Sequence, residues 1–240
     1  MVTRIIYAFF LFLLLGLLSS SSCEKQEKKC SHDYKFEEPI TIYLAKDTIH
    51  IDDSFYIEVN TPTNMHDLTD GKYIELKDHG IITHLHFYKI LQEDNNREID
   101  PEHPGYNGAI SPNANDKFVF SSRKGKWTLI GNHGAKIEYD TLNGNFIHKT
   151  VVIAKDTGLF YLRFFDAIGY YVYSDNLRPN LANTDCYQYW SYMQYTVNNG
   201  ITNNSLLENR GITIRKNLGK TGDTQKHNFK YGSWSFVVVP

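Results

Sequence analysis

The 240-residue chain has 25 Lys and Arg against 27 Asp and Glu, a formal net charge of −2. Its charge runs are short and mixed in sign, so no basic surface is offered to a nucleic acid and we expect no nucleic-acid partner. Aromatic residues make up 14% of the chain, with 17 tyrosines. Because aromatic residues favour strands, the composition points to a β-rich protein of one large or two small domains.

The first 22 residues have the order of a secretory signal peptide. Arg4 precedes an apolar run over residues 5–18, and four serines at 19–22 lead to Cys23. A positive start, an apolar core and a small-residue exit are typical of such signals. The alternative is an uncleaved transmembrane anchor, but the run is shorter than the roughly 20 apolar residues that a span needs. We therefore predict cleavage before Cys23, with residues 1–22 as the signal peptide.

A cysteine directly after the small residues resembles the signal of bacterial lipoproteins, in which that cysteine is diacylated and becomes the N-terminus. Ser20 stands where this family usually has leucine. Signal sequences of the Bacteroidota are similar and are often relaxed in this way. The resemblance implies a lipid-anchored protein of the cell envelope, held in the outer membrane through Cys23. It leaves open whether the protein faces the periplasm or the cell surface.

The residues after Cys23 divide into a polar stretch and a patterned domain. Residues 23–37 are polar and charged and are expected to form a flexible tether, followed by one domain over 38–240. In that domain apolar and polar residues alternate with a period of two, the pattern of half-buried strands. The predicted strands lie near 40–44, 49–51, 55–59, 81–91, 117–120, 127–130, 136–139, 146–154, 159–165, 170–173, 212–215 and 233–239. Asn143-Gly144 predicts a type I′ hairpin turn.

The C-terminal part contains a stretch with a different pattern. Residues 182–197 show no alternation and end at Asn198-Asn199-Gly200, which resembles the end of a helix. A second short helix is expected over 205–209. Together they predict a small helical insertion near residues 182–210.

One local pattern refines the fold class. Asp156-x-Gly158-x-Phe160-x-Leu162 is similar to the entry of the immunoglobulin F strand, with Phe160 in place of the corner tyrosine and Leu162 in place of the cysteine. With the strand spacing, it predicts a mainly β, immunoglobulin-like antiparallel β-sandwich. Phe160 and Leu162 should point inward and Tyr161 to the opposite face. The whole chain resembles uncharacterised Bacteroidota lipoproteins that carry such a body on a short tether.

Two further pairs of residues are candidates for covalent modification. Cys30 and Cys186 would be the remaining thiols in an oxidising compartment; they could form a disulfide or stay unpaired, and sequence leaves both open. Thr48 and Thr141 lie in Asp-Thr-aliphatic triplets that resemble the O-glycosylation sites of Bacteroidota.

The sequence offers few candidates for catalysis or ligand binding. His84 and His86 project from one face of a strand but need a third ligand, so we predict no metal and no cofactor. Nucleophile-elbow, zinc-protease and phosphate-loop motifs are absent from the sequence. The aromatic residues remain: Trp127, Trp190 and Trp234 could form a platform that stacks on sugars or peptides, or they could fill the core.

We therefore expect a non-catalytic binding or accessory module with a protein or glycan partner, not an enzyme. The alternative is a carbohydrate-active enzyme or a glycan-binding protein with an aromatic cleft. A concave pocket with two facing carboxylates would favour the enzyme, whereas a flat aromatic strand face would favour the binder.

Overall fold

The computed structural model describes residues 31–44, 46–76, 83–91, 97–99, 110–111, 114–131, 134–166, 188–214, 227–228 and 230–240. Strands dominate this described part. They are β1 (Ser31–Tyr43), β2 (Thr48–His50), β3 (Ser54–Pro62), β4 (Asn64–His66), β5 (Tyr73–Glu75), β6 (Thr83–Ile90), β7 (Arg97–Ile99), β8 (Ile110–Ser111), β9 (Phe118–Lys124), β10 (Lys126–Ile130), β11 (Gly134–Glu138), β12 (Asp140–Leu142), β13 (Asn145–Ala154), β14 (Gly158–Asp166), β15 (Gln188–Val197), β16 (Ile212–Ile214) and β17 (Ser233–Val239). A short helix, α1, covers Ser205–Glu208.

Two large sheets contain most of these strands. Sheet A has the order β12-β13-β3-β1-β15, with β9 also on β13; sheet B has the order β10-β11-β6-β14-β17-β2, with β8 also on β6. Most neighbours are antiparallel, but β1 runs parallel to β15 and β17 parallel to β2. The mainly β prediction is confirmed, with sheets packed on one another as in a sandwich. The parallel pairs depart from the expected antiparallel arrangement, and the immunoglobulin-like type stays a prediction.

The main core lies between the two sheets and is rich in phenylalanine. Phe55, Phe87, Phe160 and Phe236 have no exposed surface, and the Phe55 and Phe236 rings meet edge-on at 5.1 Å. Inward-facing residues alternate with outward-facing ones along each strand, as the sequence pattern predicts. Phe160 and Leu162 of β14 belong to this core together with Phe164, so the predicted inward direction of Phe160 and Leu162 is confirmed.

Sheet B is also covered on its outer face. Tyr88 and Tyr161 are fully buried there and pack in a second cluster with Leu207 of α1 and Ile212 of β16. Tyr161 therefore points away from the main core, as predicted, but into a second apolar layer. α1 and β16 therefore contribute to a second apolar layer over this part of the outer face of sheet B.

Two sequence-based boundaries are wrong for the described residues. Residues 31–37 were expected to belong to the tether, but β1 begins at Ser31 and pairs with β15 over ten residues of each strand. The same pairing makes residues 188–197 a strand, so the predicted helix does not include them. Met193, Tyr195 and Val197 are buried and alternate with half-buried residues, a strand pattern. The predicted helix near 205–209 is confirmed by α1, and the predicted strand over 170–173 lies outside the described residues.

The chain changes sheets twice at one side of the sandwich. β9 of sheet A continues through Gly125 into β10 of sheet B, and β11 of sheet B continues through Tyr139 into β12 of sheet A. At the next turn Asn143 and Gly144 have φ angles of 51° and 74°, which confirms the predicted left-handed hairpin turn. These crossings bring Tyr139 into the space between the sheets.

Candidate binding face

The tryptophans do not meet in one exposed platform. Trp234 lies in the core with 6% of its surface exposed. Trp127 is half-buried, and its ring stacks on Phe120 with the centroids 4.9 Å apart. The backbone of Trp190 in β15 pairs with that of Asp33 in β1, and the Trp190 side chain lies outside the described part. Trp127 and Trp234 therefore contribute to packing between the sheets.

His84 and His86 lie on the outer face of sheet B, where both rings contact Phe165. The centroid distances to Phe165 are 5.5 Å for His84 and 4.3 Å for His86. Nδ1 of His86 lies 2.6 Å from the hydroxyl of Tyr88, so this nitrogen is engaged within the protein. Burial, and then the nearby Lys136 ammonium, lower the pKa of His84. Among the described residues, no group of three or more His, Cys, Asp or Glu is arranged to hold a metal ion.

The predicted modification sites fall partly within the described residues. Thr48 in β2 and Thr141 in β12 are exposed, and both strands lie at a sheet edge where a sugar would meet solvent. Cys23, Cys30 and Cys186 lie outside the described residues.

A polar cluster lies buried between the sheets, and we name it the interior hydroxyl cluster: Glu38, Thr83, Tyr139 and Tyr195. The Tyr139 hydroxyl lies 2.9 Å from Glu38 Oε2 and 2.7 Å from Thr83 Oγ1. Thr83 Oγ1 lies 2.8 Å from the Tyr195 hydroxyl. Glu38, Thr83 and Tyr195 have no exposed surface. The Tyr139 hydroxyl lies within donating distance of both Glu38 Oε2 and Thr83 Oγ1, and Thr83 in turn contacts the Tyr195 hydroxyl.

The environment of this cluster keeps the Tyr139 phenol protonated. Burial, and then the Glu38 carboxylate, raise the pKa of Tyr139 well above its ordinary value. Close by, burial lowers the pKa of His148. His148 Nδ1 lies 3.1 Å from the Glu138 carbonyl oxygen, and its Nε2 lies 2.8 Å from Thr150 Oγ1. Neutral His148 satisfies both contacts by donating from Nδ1 and accepting at Nε2. The buried Glu38 carboxylate needs its hydroxyl partners because removing a charged group from water is costly.

A second candidate lies on the opposite, outer face of sheet A, which we name the tyrosine face: Thr41, Tyr43, Tyr56, Glu58 and Lys149. Tyr43 and Tyr56 are direct neighbours in the register of β1 and β3, and they are 55% and 39% exposed. Because neighbouring strands lie about 4.8 Å apart, both tyrosines project from adjacent positions on the same face of the sheet.

Lys149 and Glu58 supply polar groups next to these rings. The Lys149 ammonium lies 5.9 Å from the Tyr43 ring centroid and 5.3 Å from that of Tyr56, within cation–π range. It also lies 2.8 Å from Glu58 Oε2, and this hydrogen bond raises the pKa of Lys149. Thr41 pairs with Glu58 two register positions from the tyrosines, on the same face of the sheet. The two charges neutralise one another, so the tyrosine face offers aromatic rings and polar groups without an unpaired charge of its own.

The backbone beneath the tyrosine face is already paired. β3 lies between β13 and β1, and both partners bond to it through the positions of the face. On the other side of β1, the Ile42 amide donates to Asn198 Oδ1 at 2.8 Å, and Asn198 Nδ2 donates to the Ile42 carbonyl at 3.3 Å. Recognition at this face must therefore use side chains.

Tyr43 and Tyr56 were not among the residues predicted from the sequence to bind a ligand, although the sequence contains a signal for them. Each tyrosine stands at the solvent-facing position of an alternating strand, between Ile42 and Leu44 or between Phe55 and Ile57. An aromatic residue at such a position exposes its ring, whereas Trp127 and Trp234 stand at inward-facing positions of their strands. The exposed tyrosines and the inward-facing tryptophans therefore differ in the face of the strand they occupy, and ring size does not distinguish them.

Comparisons with known proteins leave the chain without an assigned family. No family model matches it, and no curated protein matches it. Among solved structures, it has a likeness to AvmM, which catalyses macrocyclization in alchivemycin A biosynthesis. The identity is 8%, the TM-score is 0.27, and the match covers 67% of this chain and 85% of that one. A likeness of this size carries no argument about function. Within the described part of the chain, no helix has the length and apolarity to cross a membrane.

Proposed function

We propose that this protein is a lipid-anchored envelope lipoprotein that binds a ligand without converting it, and that the tyrosine face is its binding surface. The exposed neighbouring pair Tyr43 and Tyr56 is the observation that carries the proposal. Exposed aromatic side chains pay little conformational entropy on binding and offer both an apolar ring and a polar hydroxyl. A body of immunoglobulin-like type, presenting one sheet face to a partner, belongs to the same proposal.

The anchor and the fold fit together in this proposal. β1 begins at Ser31, eight positions after Cys23. Eight residues reach at most about 28 Å. A diacylated Cys23 would therefore hold the sandwich close to the membrane of the envelope, in a leaflet that the proposal leaves open. Two acyl chains suffice for stable anchoring.

The accessibility of the two candidate sites favours binding at the tyrosine face over turnover at the interior hydroxyl cluster. Glu38 is the carboxylate of the interior hydroxyl cluster, and it is fully buried between the sheets. Its described hydrogen bonds come from hydroxyl groups, a pattern that holds the two sheets together. A general acid or base must instead come within hydrogen-bond reach of its substrate.

The proposal is tested with the full chain purified in non-ionic detergent and applied to arrays of glycans and peptides. We expect saturable binding that the double variant Tyr43→Ala/Tyr56→Ala loses. Tyr73→Ala is the matched control, because Tyr73 is 69% exposed and lies in the separate pair β4–β5. Binding that the double variant retains would contradict the proposal. So would turnover of any array compound that survives repurification and disappears in Glu38→Gln.

A further inference from the structure

We infer that the ligand of the tyrosine face is an uncharged polysaccharide, an inference that rests on the function proposed above. It names the chemical class of the ligand from three properties of the face: its shape, its charge and the state of its backbone.

The shape of the face excludes a compact small molecule as the best occupant. Small-molecule sites are concave and surround most of the ligand, whereas Tyr43 and Tyr56 project from neighbouring positions on the outer face of a sheet. A flat surface gains contact area only with a ligand that is itself extended. A polymer of repeated units meets this condition because successive units can lie across neighbouring rings.

The charges of the face favour a neutral ligand. The Lys149 ammonium and the Glu58 carboxylate are 2.8 Å apart and compensate one another. An anionic polymer would gain little from a lysine that is already paired. A neutral polyol instead finds donors and acceptors in Lys149, Glu58 and the Thr41 hydroxyl. The apolar C–H faces of its sugar rings match the exposed rings of the two tyrosines.

The paired backbone argues against an extended peptide as the ligand. Peptides commonly bind sheets by adding a strand to an edge with free main-chain groups. β3 has neighbours on both sides, and Asn198 occupies the backbone groups of Ile42 on the far side of β1. A sugar chain needs only side-chain contacts, which is what this face provides.

Affinity electrophoresis of the detergent-purified full chain tests the inference, with soluble starch, glucomannan, a mixed-linkage β-glucan or polygalacturonate cast in the gel. We expect retardation by at least one of the three neutral polymers that persists at high salt, since no ion pair carries it. Tyr43→Ala and Tyr56→Ala should each weaken the interaction roughly two- to tenfold, the range of one aromatic contact. Tyr73→Ala should leave the retardation unchanged.

The other outcomes separate this inference from the proposed function. Retardation by polygalacturonate alone, or retardation that salt abolishes, overturns the neutral class. Retardation by none of the polymers also overturns it, and tyrosine-dependent peptide binding on the arrays would then leave the tyrosine face as a binding surface for protein. Retardation that Tyr43→Ala/Tyr56→Ala retains overturns both the inference and the proposed function.

Discussion

Strand β14 provides a sharp test of the fold, because both of its faces are buried. Phe160 packs between the sheets, 4.8 Å from the Phe118 ring and 5.5 Å from that of Phe236. Tyr161 packs on the other side, 6.0 Å from the Tyr88 ring. Neither side chain has exposed surface. Replacing a buried large aromatic residue by alanine costs about 3–5 kcal/mol. Alternation alone predicts a smaller loss for Tyr161→Ala, whereas the second apolar layer predicts comparable losses.

Urea unfolding followed by tryptophan fluorescence measures both losses. With an m value of about 2–3 kcal/mol/M, each alanine variant should lower the unfolding midpoint by roughly 1–2.5 M. Tyr161→Phe is the matched control, because it keeps the ring and removes only a hydroxyl, an effect of about 1 kcal/mol. A Tyr161→Ala midpoint close to that of Tyr161→Phe would show that α1 and β16 do not cover sheet B. Small effects at both Phe160 and Tyr161 would refute the placement of β14.

Three further predictions concern the anchor, the cysteines and the response to acid. Cys23→Ala should abolish palmitate labelling and leave uncleaved or soluble material; labelled protein in the membrane fraction would contradict the anchor. Cys30 stands one residue before the first paired position of β1, and Cys186 stands two residues before that of β15. We therefore predict that they form a disulfide, which peptide mass spectrometry without reduction would detect. Labelling of both cysteines by a thiol reagent would disprove the disulfide. Burial holds the pKa of His148 below its ordinary value of about 6.5, so the unfolded chain takes up a proton that the folded protein does not, and stability should fall as pH decreases from that value. His148→Gln should flatten the melting temperature between about pH 7.5 and 5 relative to the parent protein; identical slopes would contradict this role.

Alternation in the sequence was sufficient to predict most strands, because most of them bury one face more than the other. The inward direction of Phe160 and Leu162 and the Asn143-Gly144 turn follow from local rules that the structure obeys. The parallel pairing of β1 with β15 does not, because it joins residues that are about 160 positions apart. Before that pairing is known, residues 31–37 resemble a polar tether and residues 188–197 a helix.

The candidate site was less predictable than the fold. The interior hydroxyl cluster joins residues from β1, β6, β15 and the turn before β12, and no short motif connects them. Glu38 in particular resembles a surface residue of a polar segment, although it is fully buried. The tyrosine face needed only the register of β1 with β3, because Tyr43 and Tyr56 each occupy the exposed phase of a predicted strand.

Tyrosine labelling in the presence of ligand tests the tyrosine face most directly. Mild iodination of the full chain, read by peptide mass spectrometry, would report the accessibility of Tyr43, Tyr56 and Tyr73, which are all exposed. With the neutral polysaccharide that retards the protein most, or with the array ligand if none does, we expect protection of Tyr43 and Tyr56 and unchanged labelling of Tyr73. Equal labelling of Tyr43 and Tyr56 with and without saturating ligand would contradict the binding surface proposed for this protein.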